Sequence, residues 1–216
     1  AAAGDPPGPV KLLVHGVGQD VALTKRSETF EFVVPVPDPI LWHPDRPHLY
    51  DSEVAVVSPA GRDAVRTYFG MRTVTTGKLP GRDYEYIFLN GKPVYLLGAL
   101  DQSFHPKGLH TFPTDADIRR DVEISKECGL NFLRIHIKAD EPRLYYWADK
   151  LGLMMMCDVP SPWEDTPRMR RTWEETFRGM VQRDFNHPCI FSWVLFHETW
   201  GLPKHRTPEG QAVSHA

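Results

Sequence analysis

Cysteine is scarce in this sequence, with 3 among 216 residues. Cys128, Cys157 and Cys189 stand about thirty residues apart, each in or beside an apolar segment. A disulfide framework or a structural zinc site requires closely spaced pairs such as CxxC, and the sequence contains none. We therefore expect three buried free thiols and no metal site built on cysteine.

Long hydrophobic runs and an excess of one charge are also missing. No run approaches the roughly 20 apolar residues that a membrane span needs, and the opening segment AAAGDPPGP lacks the charged and apolar regions of a secretory signal. The formal net charge is -3, with Lys and Arg scattered among acidic residues. These features predict a soluble protein without a recognisable targeting signal. They also predict a neutral partner, and not a nucleic acid or a membrane.

Three common catalytic motifs are absent as well. The sequence has no GxSxG motif, so it does not support a hydrolase that uses a serine nucleophile elbow. His197-Glu198 opens like the zinc motif HExxH, but Gly201 stands where the second histidine would be. Gly16 and Gly18 have no third glycine and no helical pattern behind them, which argues against a dinucleotide site.

The first part of the chain has the pattern of a β-sheet. From about residue 10 to about residue 76 the apolar residues recur with a period of two, as at Phe30, Phe32 and Val34. A turn at residues 58–61 predicts a hairpin. We count about five strands, fewer than the seven of an immunoglobulin-type sandwich.

After about residue 84, apolar runs alternate with amphipathic helical patterns, which is typical of βα units on a parallel sheet. Thr114, with Asp117 three residues later, predicts the start of the first helix, and Pro142 suits the first turn of the second. The four predicted strands span residues 95–100, 132–137, 154–157 and 189–196.

Polar residues follow each of these runs, where parallel (β/α) architectures place their functional sites. Glu198 directly follows an apolar, aromatic strand, so we expect its carboxyl to emerge from an apolar setting that suits a proton donor. The candidates at the four strand ends are Asp101 and Gln102, then Arg134 and His136, then Asp158, and finally His197 and Glu198.

The segment RDFNHPCIFSWVLFHETWG at residues 183–201 resembles the acid/base segment of glycoside hydrolase family 2, which includes β-galactosidases, β-glucuronidases and β-mannosidases. In that family a basic and acidic pair, Asn-His-Pro and an apolar strand lead to Asn-Glu. Four upstream segments agree in order and spacing: LWHPDRPHLY at 41–50, YFGMR at 68–72, FLNGKPVYLLG at 88–98 and NFLRIHIKADEPRLYYWADKLGL at 131–153.

The resemblance implies a partial immunoglobulin-like β-sandwich at residues 1–83, followed by the first four βα units of a (β/α)₈ TIM barrel at residues 84–216. It implies hydrolysis of terminal β-glycosidic bonds with retention and without an organic cofactor, with Glu198 as acid and then base. Retention needs a second carboxylate about 5 to 5.5 Å away as nucleophile. In the family the seventh barrel strand supplies it, so we expect this chain alone to be inactive.

The same resemblance suggests which residues contact the β-linked carbohydrate. His197 stands where the family usually has an Asn that binds the sugar 2-hydroxyl. Each of the other candidates also has a structural interpretation: Arg134 as an ion pair with Asp158 or Glu198, His136 as a satisfied core histidine, and Trp200 with Trp163 as packing. The predicted substrate contacts are His197, Arg134, His136, Asp101, Asp158 and Trp200, and no metal ligand is predicted.

A second hypothesis from another class stays open. A non-catalytic carbohydrate-binding module or pseudo-enzyme would keep the sugar-facing residues without the chemistry, with His197 adapted to binding. The predicted fourth strand would leave an unpaired sheet edge, which favours pairing with another copy of the chain and hence a homo-oligomer.

Overall fold

The computed structural model describes residues 10–14, 17–21, 34–58, 61–198, 200–202 and 205–215. These residues fall into two compact units, one within residues 1–42 and 48–71 and the other within residues 43–47 and 72–216. None of the helices in the described part of the chain is long and apolar enough to cross a membrane.

The first unit contains an antiparallel sheet with the strand order β2-β1-β3-β4. Tyr50 pairs with Phe69 and Ser58 with Gly61 at the two ends of the β3–β4 hairpin, and the Tyr50 and Phe69 rings stack at 5.2 Å. The predicted sheet and hairpin are therefore confirmed, whereas the predicted strand with Phe30 and Phe32 lies outside the described residues. The strands are β1 (Val10–Val14), β2 (Val17–Val21), β3 (Tyr50–Ser58) and β4 (Gly61–Phe69).

The second unit begins with a small antiparallel sheet of strands β5 (Val74–Lys78), β6 (Glu85–Leu89) and β7 (Lys92–Pro93). Asn90 and Gly91 join β6 to β7 with φ angles of 52° and 73°. Two successive left-handed residues are what a tight hairpin turn requires, and Asn-Gly is the sequence that adopts them most readily.

A four-stranded parallel sheet follows, with the order β11-β10-β9-β8. A helix separates each pair of consecutive strands, as the alternation of patterns predicted, and a fourth helix comes after the last strand. The elements are β8 (Gly98–Asp101), α1 (Asp115–Glu127), β9 (Phe132–Ile135), α2 (Pro142–Leu151), β10 (Met154–Asp158), α3 (Pro167–Asp184), β11 (Ile190–Val194) and α4 (Pro208–His215).

The helix starts follow local rules that the sequence displays. Thr114 caps α1 by accepting a hydrogen bond from the backbone N–H of Asp117 at 3.2 Å, as predicted. Thr166 caps α3 in the same way through the N–H of Met169. Pro142 occupies the first turn of α2, where its missing N–H costs nothing.

The core of the second unit is formed by the inner faces of α1 and α2 and by the parallel sheet. Val122, Leu144 and Ala148 on the helices are fully buried, and so are Ile135 and Met155 on the strands. An apolar helical stripe packed on strands that are buried on both faces is the arrangement expected of βα units.

Two expectations about this unit were wrong in detail. Cys128 is exposed at the end of α1, whereas Cys157 and Cys189 are buried as expected, and burial raises the pKa of the Cys157 thiol to about 12. The first parallel strand begins at Gly98 and not at residue 95, because Tyr95, at 83% exposure, lies outside the sheet. Since β8 is an edge strand, an apolar sequence alone does not fix where it starts.

Candidate active site

The polar residues that follow the parallel strands come together through hydrogen bonds. Because the carboxyl ends of parallel strands meet at one edge of the sheet, side chains far apart in sequence become neighbours there. The connected side chains are Asp158 from β10, Arg134 from β9, His197 after β11, His136 after β9 and Gln102 after β8.

Arg134 and Asp158 form a two-point ion pair. The Arg134 Nε donates to Asp158 Oδ1 at 2.9 Å and Nη2 donates to Oδ2 at 2.8 Å, while the Asp158 side chain is fully buried. This contact raises the pKa of Arg134, because the carboxylate stabilises the charged guanidinium. The structural interpretation of Arg134 is therefore correct, since a buried carboxylate would be costly without its partner.

The same guanidinium also faces His197. Its Nη2 lies 3.2 Å from His197 Nδ1. A guanidinium has only donors, so His197 Nδ1 accepts this bond and the proton of the neutral ring is on Nε2. The backbone N–H of His197 donates to Ser161 Oγ at 3.1 Å, which fixes the residue from the other side.

His136 is the next residue in this network. Its Nε2 lies 3.0 Å from His197 Nε2, and its Nδ1 lies 2.9 Å from Gln102 Oε1. The side chain is buried to 9% exposure, and burial together with His197 lowers its pKa. His136 is thus a satisfied histidine whose burial and neighbours favour the neutral ring.

The backbone turns sharply after three members of the network. Ser103, Ile137 and Glu198 directly follow Gln102, His136 and His197, and they have φ angles of 54°, 49° and 47°. Left-handed backbone is unfavourable for side chains with a Cβ and is rare for a β-branched residue such as Ile137. Strain of this kind concentrates at functional sites, where it holds a neighbouring side chain in place.

Glu198 lies at the rim of a cavity of about 450 Å³. Its side chain is 68% exposed, and Oε1 is 3.5 Å from His197 Nε2. The carboxyl of Glu198 is therefore more exposed than an apolar setting implies, although Trp163 and Trp200 line the same cavity. The cavity is lined by His136, Ile137, Pro160, Ser161, Trp163, His197, Glu198 and Trp200.

Two tryptophans form part of the cavity wall. Trp163 and Trp200 pack against each other, with ring centroids 3.6 Å apart, and Trp163 is 75% exposed. Of the predicted contacts, Trp200, His136 and His197 line the cavity. Ser161 and Pro160 were missed, because they lie in a loop after β10 and belong to no strand-end motif.

Asp101 is placed differently from the cavity residues. Its Oδ1 accepts a hydrogen bond from the backbone N–H of Ser103 at 2.6 Å, and burial is the main cause that raises its pKa. Among the described residues, neither Asp101 nor Asp158 belongs to the cavity lining. The carboxyl of Asp101 shapes the turn after β8.

One group of side chains has the composition of a metal site. His136, Asp158 and His197 each offer a ligand atom, and these atoms lie within 4.8 Å of one another. Two imidazoles and a carboxylate suit divalent transition metals. Here, however, Arg134 binds both oxygens of Asp158 and donates to His197. A cation would have to displace the guanidinium, so the arrangement fits Arg134 better than a metal.

Comparison with known proteins identifies the architecture. The family model "Glycosyl hydrolases family 2" matches residues 10–72, and "Glycosyl hydrolases family 2, TIM barrel domain" matches residues 82–209. The predicted fold class, a sandwich followed by part of a TIM barrel, is confirmed. The predicted domain boundary between residues 83 and 84 stays a prediction.

Individual relatives agree with these matches. Beta-galactosidase 2 of Enterobacter cloacae is 30% identical over 186 residues, covering 80% of this chain and 17% of that protein. A beta-galactosidase of Thermoanaerobacter pseudethanolicus is 31% identical over 162 residues, covering 72% and 21%. A solved β-glucuronidase from Ruminococcus gnavus has a TM-score of 0.74 at 24% identity and covers 98% of this chain and 35% of that one.

The chain spans about a fifth of the length of the curated relatives it matches. The barrel-domain model covers more than half of the chain by itself, and the sandwich model covers most of the remainder. This chain belongs to glycoside hydrolase family 2.

Proposed function

We propose that this chain forms the acid/base part of a retaining β-glycosidase, which cleaves terminal β-linked sugars. The main observation in favour is the position of Glu198, an ionisable carboxyl on the rim of a cavity large enough for a sugar ring and flanked by two tryptophans. The reaction requires a carboxyl group that protonates the leaving oxygen.

In the proposed reaction, Glu198 donates its proton to the glycosidic oxygen as the bond to the anomeric carbon breaks. A second carboxylate attacks that carbon and forms a glycosyl-enzyme ester. The ionised Glu198 then removes a proton from water, whose oxygen displaces the carboxylate. The sugar leaves with its original configuration, and Glu198 regains its proton.

Asp158 is not suited to be the second carboxylate. Both of its oxygens accept hydrogen bonds from Arg134, and its side chain is fully buried. An ion-paired carboxylate without access to the cavity is a poor nucleophile. We infer that residues outside this chain supply the nucleophile, in agreement with the fraction of the relatives' length that the chain spans.

The other residues divide into contacts and supports. Trp163 and Trp200 provide flat apolar surfaces for a sugar ring, and His197 provides a polar contact beside Glu198. Arg134 and Asp158 support His197 from behind, since the guanidinium bonds to its Nδ1. Asp101, a predicted substrate contact, would accept a hydrogen bond from a sugar hydroxyl only in competition with the bond from the Ser103 N–H.

A second candidate is a sugar-binding module without catalysis. It is favoured by one observation, which is that Glu198 is the only carboxylate among the described residues that line the cavity. Such a module would bind simple sugars against the tryptophans and leave them unchanged.

The proposal is tested on the complete reading frame that contains this chain. Because the relatives include beta-galactosidases and a β-glucuronidase, aryl β-galactosides and β-glucuronides are the first substrates to test. We expect hydrolysis that releases the β-anomer first, observed by proton NMR, and its loss in Glu198→Gln. Glu164→Gln is the matched control, because Glu164 is exposed beside Trp163 and lies outside the cavity lining. Calorimetric sugar binding without turnover would favour the binding module instead.

A further inference from the structure

The hydrogen-bond network around His197 has a fixed direction. Arg134 cannot accept a hydrogen bond, so it donates to Asp158 and to His197 Nδ1. His197 therefore carries its proton on Nε2 and donates it to His136 Nε2 at 3.0 Å. His136 in turn carries its proton on Nδ1 and donates it to Gln102 Oε1. Each nitrogen and oxygen atom of this network is therefore either a donor or an acceptor.

The result is an N–H donor next to a lone pair within the cavity lining. His197 Nε2 is the donor and His136 Nε2 is the acceptor, and both residues line the same cavity as Glu198. A hydroxyl group can accept one hydrogen bond and donate another, so it can replace the direct bond between the rings without leaving either nitrogen unpaired.

Resting on the proposed sugar-cleaving function, we propose that His136 is a specificity-determining residue that acts together with His197 to bind one hydroxyl of the sugar. The His197 Nε2–H donates to the hydroxyl oxygen, and the hydroxyl donates its own proton to His136 Nε2. His197 departs from the Asn that the family usually has at this position, and it is the residue that contacts His136.

Other ligand groups cannot satisfy both nitrogens. A carboxylate accepts but does not donate, so it would leave the His136 lone pair facing a negative charge. An ammonium donates but does not accept, and a C–H does neither. The site should therefore favour a ligand that carries this hydroxyl, because only such a group replaces the direct bond between the rings with two hydrogen bonds.

The two ends of the network are anchored. Gln102, His136 and His197 each precede a residue with a positive φ angle, and these residues are Ser103, Ile137 and Glu198. The buried Asp158 anchors the other end through Arg134. Because the two Nε2 atoms are 3.0 Å apart, the rings must separate to admit a hydroxyl, while Arg134 and Gln102 keep hold of their outer nitrogens.

The direction of the network is tested on the 216-residue chain without any substrate. Long-range ¹H–¹⁵N correlation spectra distinguish protonated from unprotonated ring nitrogens. We expect a proton on Nε2 of His197 and on Nδ1 of His136 near neutral pH. A proton on His197 Nδ1, or two protons on that ring, would overturn the proposal whether or not the protein is an enzyme.

The role in specificity is tested on the complete protein with single-deoxy analogues of the aryl β-glycoside that it cleaves fastest. We expect kcat/KM to fall by roughly 10- to 100-fold when one particular hydroxyl is removed. In His136→Phe this penalty should shrink to less than about 3-fold, and His136→Gln, whose amide oxygen still accepts, should retain part of it. His110→Phe is the control, since His110 is exposed and contacts Phe104.

A merely structural role predicts another result. His136→Phe would then lower kcat/KM by the same factor for the parent glycoside and for every deoxy analogue, and this outcome would overturn the proposal. If no glycoside is cleaved, the proposed hydrolytic function is wrong. The His136–His197 pair is then tested separately by titrating the chain with methyl β-glycosides. A shift of the His197 Nε2–H signal that one deoxy analogue fails to produce supports the pair, and identical shifts with all analogues overturn it.

Discussion

Nε2 of His136 lies 3.0 Å from Nε2 of His197, although β10 separates the two strands that these residues follow. Arg134, on the strand that His136 follows, holds the far side of the His197 ring. The site is thus assembled from four strands at once. Its geometry depends on a buried ion pair that does not itself line the cavity.

Removing the guanidinium should destabilise the chain strongly. Arg134→Met leaves the fully buried Asp158 without its partner, and we expect a loss of about 3 to 5 kcal/mol in the free energy of unfolding, measured in urea. Arg143→Met is the matched control, because Arg143 and Asp115 form a solvent-exposed pair that should contribute little to stability. Equal losses in the two variants would contradict the importance of the Arg134 pair.

His136 should make the stability depend on pH. Burial, together with His197, lowers its pKa in the folded chain below the ordinary value of about 6.5, so the unfolded chain binds the proton more readily. The stabilisation from the neutral ring is fully present above about pH 6.5 and declines as the pH falls toward the folded-state pKa. Urea midpoints should fall in that window for the native chain and fall less for His136→Gln. An equal decline in both would assign the effect to other groups.

Asp101 should have the opposite dependence on pH. Burial raises its folded-state pKa above 3.8, so the ionised carboxylate costs stability at neutral pH. Asp101→Asn keeps an oxygen that accepts from the Ser103 N–H, and we expect it to raise the melting temperature by about 2 °C near pH 7. The difference should shrink as the pH falls toward about 4. A lower melting temperature of the variant at neutral pH would contradict this account.

The three cysteines should differ in reactivity. Cys128 is exposed, whereas Cys157 and Cys189 are buried and burial raises the pKa of both thiols. We expect Ellman's reagent to modify one thiol in the folded chain and three in urea. Cys128→Ser should abolish the fast reaction, and a fast reaction that persists in this variant would place Cys157 or Cys189 at the surface.

The fold was largely predictable because its local signals are strong. The cap at Thr114, the proline at the start of α2 and the alternation of apolar runs with amphipathic helices correctly indicated the βα units. The position of Glu198 after the last strand was also correct. These features depend on neighbouring residues only, so a single sequence reveals them.

The rest of the site depends on contacts over long distances in sequence. The exposure of Glu198 follows from the left-handed turn at its own backbone, and a glutamate in a sequence gives no sign of that conformation. The His136 and His197 pair joins positions 61 residues apart. The direction of its hydrogen bonds follows from the bond that Arg134 donates to His197. The sequence alone did not decide which residues Arg134 contacts.

The most direct test of the account compares leaving groups in Glu198→Gln of the complete protein. A proton donor matters most when the departing phenol is weakly acidic, so kcat/KM should fall by about 10² to 10⁴-fold for the phenyl β-glycoside. For the 2,4-dinitrophenyl β-glycoside, whose phenolate leaves without a proton, the loss should be far smaller. Equal losses for both glycosides would contradict the assignment of Glu198 as the acid.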